Sequence, residues 1–127
     1  MALAFVSAIN RHDVAELARL MTGEHRFIDS LGNIVQGNDK MRAGWAGYFR
    51  IVPDYTVFVN ETFSDGSTVV IFGLARGTYS EDGKTLLPKN VWQTPIALRA
   101  QIEEGNVAEW RVYADNEPIR RLMNQSK

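Results

Sequence analysis

The chain contains no cysteine among its 127 residues. Disulfides, thiol catalysis and thiolate metal sites are therefore excluded. Histidine is scarce: His12 and His25 are the two present, and neither sits in an i,i+4 pair or a ligand cluster. No metal site is expected. Charge of one sign is lacking as well. Lys and Arg number 14 against 15 Asp and Glu, a net charge of −1, so nothing points to nucleic acid or an anionic membrane as partner. No apolar run is long enough to span a bilayer. There is no glycine-rich phosphate loop, no Gly-x-Ser-x-Gly elbow and no dinucleotide fingerprint, and no cofactor is expected. The opening "MALAFVSAIN" lacks the basic region of a secretory signal, and its apolar residues alternate with Ser7 and Asn10. It reads as a buried helix, and a cytoplasmic protein is the default.

What remains is ordinary globular material, 45% hydrophobic and 23% charged, enough for one domain over residues 1–127 with a real core. Leu3, Phe5 and Ile9 approximate one helical face. Asp13-x-x-Glu16 is a capping box, predicting a second helix from Val14 to Met21 that Gly23 ends. A strand follows around His25 to Asp29. Met41, Trp45 and Phe49, four apart, mark a third helix, stopped by Pro53. Two hairpins come next, one around "SDG" and one around "EEGN", and "NEPIRRLM" closes as a short helix. This order predicts an α+β chain with helices over one face of a curved, antiparallel-rich sheet.

The strand Thr68 to Thr78 is apolar on both faces. Val69 and Ile71, followed by Gly73, Ala75 and Gly77, share one; Val70, Phe72 and Leu74 share the other. Helices cover only one face of such a sheet. The other is expected to be covered by a second copy, making a homodimer through the outer face; a local fold-back of the chain is the alternative.

"HRFID" carries the most suggestive carboxylate. With period two, His25, Phe27 and Asp29 share a face. Asp29 is either a base beside an aromatic wall or a turn residue before "SLGN", where aspartate readily bonds backbone amides. Both readings stand on spacing alone. His25 is expected at the surface or a pocket rim. Trp45, Trp92 and Trp110 form either an aromatic binding wall or plain core.

The segments "FVSAINRHDVAELARLM", "FIDSLGNIVQGNDKMRAGW" and "GNVAEWRVYADNEPIRRLM" together resemble the nuclear transport factor 2-like superfamily. Ketosteroid isomerases, SnoaL-like polyketide cyclases and limonene epoxide hydrolases belong to that group. The resemblance implies a cone, or cystatin-like roll, in which N-terminal helices close an apolar pocket for a small hydrophobic molecule. It implies that Phe5, Phe27, Trp45, Gly73, Ala75, Trp92, Thr94, Ile96, Leu98, Trp110, Val112 and Ala114 face that pocket, with Asp29 at the base position.

The same resemblance separates the known chemistries. A ketosteroid isomerase stabilises its enolate with a tyrosine and a protonated aspartic acid, and those positions are Phe5 and Leu98 here. Removing one such donor costs on the order of a hundred-fold in rate or more. The Asp-Arg-Asp set of the epoxide hydrolases matches Ala75, Gly73 and Val112. Cyclase-type acid/base chemistry needs less, because its substrate is already acidic. Asp29, with His25 near the rim, would serve as base if an aromatic pocket raised its pKa. The alternative is a non-catalytic binding or dimeric assembly module of the same fold.

Overall fold

The carboxylate of Asp13 accepts a hydrogen bond from the Glu16 amide at 3.1 Å, the capping geometry its sequence spacing predicts. It opens α2 (Val14–Leu20), which follows α1 (Ala2–Asn10). The computed structural model describes residues 1–125. α2 ends before the expected glycine. Met21 already has extended dihedrals and is 3% exposed, so burial in the sheet takes it from the helix. Gly23 then lies inside β1 (Met21–Ile28) instead of ending α2.

A short strand that the sequence pattern does not signal, β2 (Ile34–Gln36), pairs antiparallel with β1. All three of its residues are exposed, so it shows no alternation of burial. α3 (Asn38–Ile51) follows, with Met41, Trp45 and Phe49 as its buried stripe. Next come β3 (Thr56–Asp65), β4 (Thr68–Thr78), a 3-10 turn at Pro88–Asn90, β5 (Val91–Glu103), β6 (Asn106–Ala114) and α4 (Glu117–Gln125).

The curved, unclosed sheet has the order β2-β1-β6-β5-β4-β3. The last four strands form the expected antiparallel meander. β1 joins it parallel to β6. Among the described residues no helix is long and apolar enough to cross a membrane.

Alternation along β5 is clean: Trp92, Thr94, Ile96, Leu98 and Ala100 are buried while Val91, Gln93 and Pro95 are exposed. That inner face meets α1, α2 and α3. Phe5, Ile9, Leu17, Val52, Ile71, Val107 and Trp110 are at most 1% exposed, each large side chain contributing about 2 kcal/mol through burial. Asn10 fastens the end of α1 to the edge strand β3. Its amide nitrogen donates to the Val57 carbonyl at 2.9 Å, and the Val57 amide donates back to its Oδ1 at 2.8 Å.

Gly73 and Gly77 fit where no larger residue would. A Cβ on Gly73 would lie 2.0 Å from the Phe58 carbonyl oxygen, and one on Gly77 would lie 2.3 Å from Val52 Cγ1. The space beside Gly73 is thus filled by the backbone of β3. It does not open onto the pocket that the resemblance implies Gly73 faces.

Candidate functional site

β1 delivers Phe27 and then the turn residue Asp29 to the rim of a cavity of about 500 Å³ between the sheet and α3. α3 contributes Met41, Trp45 and Tyr48 to its wall, and the following connection contributes Tyr55. Ala75, Trp92, Thr94 and Ile96 line it from β4 and β5, and Val112 and Ala114 from β6. α4 closes one side with Ile119 and Met123. The rings run as a connected series. Phe27 meets Trp45 edge-on at 5.9 Å, Tyr48 meets Tyr55 edge-on at 5.0 Å, and Tyr55 lies 6.1 Å from Trp92.

Four residues expected to face the cavity lie elsewhere. Phe5 and Trp110 pack against each other at 4.5 Å and fill the space beneath it, and Leu98 is 2% exposed in the same core. The fourth, Gly73, is blocked by β3. Phe27, Trp45, Trp92, Thr94 and Val112 do line it. The wall-or-core alternative for the tryptophans thus divides: Trp45 and Trp92 belong to the wall, Trp110 to the core.

His25 also differs from its expected rim position. It is wholly buried, stacked on Phe5 at 6.1 Å. Its Nδ1 lies 2.7 Å from the Val107 carbonyl. A carbonyl can only accept, so Nδ1 carries the proton. Nε2 is then an unprotonated, buried nitrogen with no partner. Burial pushes the His25 pKa below its usual value, against the opposing pull of the Val107 carbonyl and Glu109. Glu109 is held on the far side of the sheet by Arg26 and by Arg99 at 3.1 Å.

Asp29 joins two roles in one place. It lines the cavity, and its Oδ1 accepts from the amides of Leu31 and Asn33, both at 2.9 Å. Its Oδ2 accepts from Asn33 Nδ2 at 3.1 Å. Burial alone would raise its pKa, but the hydrogen bonds from Asn33 and Leu31 outweigh it and hold the carboxyl below its usual range. This reverses the expected direction, because the turn supplies donors that the aromatic wall does not.

The family model of the SnoaL-like domain matches residues 2–110. The chain belongs to the SnoaL-like family. A candidate SnoaL-like polyketide cyclase from Shewanella denitrificans superposes with a TM-score of 0.82 at 16% identity, over 99% of this chain and 95% of its own. A protein of ketosteroid isomerase-like fold from Catenulispora acidiphila, solved with trimethylamine, gives 0.76 at 15% identity, over 88% and 82%. A nuclear transport factor 2-like protein from Cytophaga hutchinsonii gives 0.69 at 15%, over 94% and 90%. At such identities these likenesses establish the fold. No curated protein matches the sequence.

Within the SnoaL-like fold, Tyr48 and Tyr55 are wall residues that sequence reasoning passes over, as are Ser30, Asn116 and Arg120. Tyr48 lies three residues beyond Trp45 on the same α3 face, a spacing that could have marked it. Tyr55 follows Pro53, where helical periodicity has ended and gives no signal.

Proposed function

We propose that the chain binds a small hydrophobic molecule in the cavity between the sheet and α3. The observation that supports this best is the wall: a volume of about 500 Å³ bounded by aromatic and aliphatic side chains with few polar groups, within the usual range for small-molecule sites. The test is a thermal-shift series with aromatic ketones, lactones and polyketide-like compounds, repeated on Ala75→Phe. A ligand that occupies the cavity raises the wild-type midpoint by mass action and loses that effect in the filled variant. Equal shifts in both proteins, or none in either, would sink the reading.

A second reading is acid/base chemistry of the isomerase, cyclase or dehydratase type with Asp29 as base. Its support is the position of Asp29 on the cavity wall. A carboxylate held below its usual pKa is a weak base, so it suits only a substrate with an already acidic C–H, such as a 1,3-dicarbonyl. Substrate-dependent proton exchange in deuterated water tests it. Loss in Asp29→Asn, with binding retained, is expected; full exchange in that variant removes Asp29 from the chemistry. A chain that binds without exchange is the non-catalytic module.

Dimerisation through the outer sheet face belongs to the same proposal. Cross-strand rows there join Phe58 to Leu74 and Pro95, and Phe72 to Ala97 and Tyr113. Phe58, Phe63, Phe72 and Tyr113 are all exposed, and Phe63 meets Phe72 edge-on at 5.9 Å. Light scattering should give twice the chain mass for the wild type and the chain mass for Phe72→Lys. A monomeric wild type would refute the interface.

A further inference from the structure

Tyr48 and Tyr55 bring hydroxyl groups into a wall made mostly of apolar side chains. The Tyr55 backbone is fixed at both ends. Its amide donates to the Val52 carbonyl at 3.1 Å. Its carbonyl accepts from His12 Nε2 at 2.8 Å, and the His12 ring is itself stacked on Phe49 at 4.2 Å. Tyr48 packs edge-on against the Tyr55 ring, so each ring restrains the other.

Neither phenol oxygen has a hydrogen-bond partner among the described residues, and neither belongs to the sealed, unpartnered polar atoms. Both side chains line the cavity. Burial raises both pKa values, that of Tyr55 to about 12 and that of Tyr48 further. Both phenols are therefore neutral and keep their protons to donate. The indole N–H groups of Trp45 and Trp92 also lack acceptors, but both nitrogens are sealed within the packing and offer nothing to a ligand in the cavity. Those side chains are 6% and 5% exposed.

A wall with donors lacking acceptors matches a ligand that brings the acceptor. The positive charge among the described lining residues is Arg120, which is exposed and donates to Glu117 at 3.4 Å. A ligand carboxylate at the tyrosines would lose its hydration without gaining a cation beside it. An uncharged oxygen would not. We propose that Tyr48 and Tyr55 bind the carbonyl or enol oxygen of an otherwise apolar, uncharged ligand and so determine which molecules the cavity accepts. This rests on the cavity-binding reading above and names its ligand class. It also supplies oxygen-binding groups from α3 and the connection after it, in a chain that has Phe5 and Leu98 where a steroid isomerase has its donors.

The probes are 9-fluorenone and fluorene, which share a ring frame and differ in one carbonyl oxygen. Both are titrated calorimetrically into the wild type and into Tyr48→Phe/Tyr55→Phe. The fluorenone-to-fluorene affinity ratio is expected to fall about two- to tenfold in the double variant, the range of a typical net hydrogen bond, with fluorene affinity unchanged. An unchanged ratio while both ligands still bind overturns the inference and leaves the cavity reading intact. Loss of both ligands from a folded double variant also overturns it, since the hydroxyls then shape the cavity without recognising oxygen. Failure of the wild type to bind either probe overturns both readings. Tetramethylammonium bound more tightly than fluorenone would make the rings a cation cage and likewise overturn the inference.

Discussion

Replacing Asp29 separates its turn role from any chemistry, and the hydrogen bonds set the size of the effect. Asp29→Ala removes three acceptor contacts, from the Leu31 amide, the Asn33 amide and Asn33 Nδ2. At about 0.5–1.5 kcal/mol net each, the total spans about 1.5–4.5 kcal/mol. Water reaches this turn, since Leu31 is 74% exposed, so the freed donors are rehydrated and the loss should sit near the lower end, about 1.5–2 kcal/mol. Asp29→Asn keeps Oδ1 for both backbone amides and turns one NH₂ group toward another at Asn33. It should lose about 0.5–1 kcal/mol. The pH dependence has a definite sign. A carboxyl whose folded pKa is depressed stabilises the protein above its unfolded value of about 3.9 and loses that contribution as pH falls through the folded value. The gap between wild type and Asp29→Asn should therefore be open at pH 7 and narrow at pH 3. Urea unfolding followed by tryptophan fluorescence measures all of this. If Asp29→Ala unfolds within about 0.3 kcal/mol of the wild type, smaller than one typical hydrogen bond, the turn does not depend on the carboxylate.

Three other perturbations have defined outcomes. His25 is neutral when folded and titrates at a higher pH when unfolded, so wild-type stability should fall as pH drops below about 6.5. His25→Phe should flatten the stretch between pH 7 and 5, and an unchanged slope there would assign it to other groups. Gly77→Ala should lose about 1–3 kcal/mol from overpacking against Val52, and adding Val52→Ala should recover part of it. Purely additive losses in the double variant would show that the two residues do not meet. Asn10→Ala removes both bonds to Val57 and should lose about 1–3 kcal/mol, with hydrogen exchange at the Val57 amide accelerating most. Unaltered exchange there would mean that α1 does not depend on Asn10 to hold the β3 edge.

Much of this architecture is legible before any coordinates, because it rests on period. The 3.6-residue stripe of Met41, Trp45 and Phe49 and the strict alternation of β5 each encode one buried face. β2 escapes because three exposed residues carry no period, and the start of β1 at Met21 escapes because only tertiary burial decides it. The site is less legible for a related reason. Strand phase gives the side of the sheet but not the depth. Phe27 and His25 share a face, yet one lines the cavity and the other lies under Phe5. Gly73 looks like spare room in one dimension and is filled by the neighbouring strand in three. The sign of the Asp29 shift depends on amides two and four residues later, which burial by aromatic rings does not predict.

The parallel junction of β1 with β6 has a consequence for how the protein is made. His25 and its Val107 partner are 82 residues apart, and Arg26 and Glu109 are 83 apart. At roughly 5–20 residues per second of synthesis, β1 waits roughly 4–17 s before the strand it lies against exists. Through that interval Phe5, Ile9 and Leu17 have no Trp110 or Val107 to cover them. The apolar faces of α1 and α2 are then open to chaperones and to neighbouring chains on the same message. The emergence of β6 closes that window, and only then does the cavity acquire its Val112 and Ala114 wall.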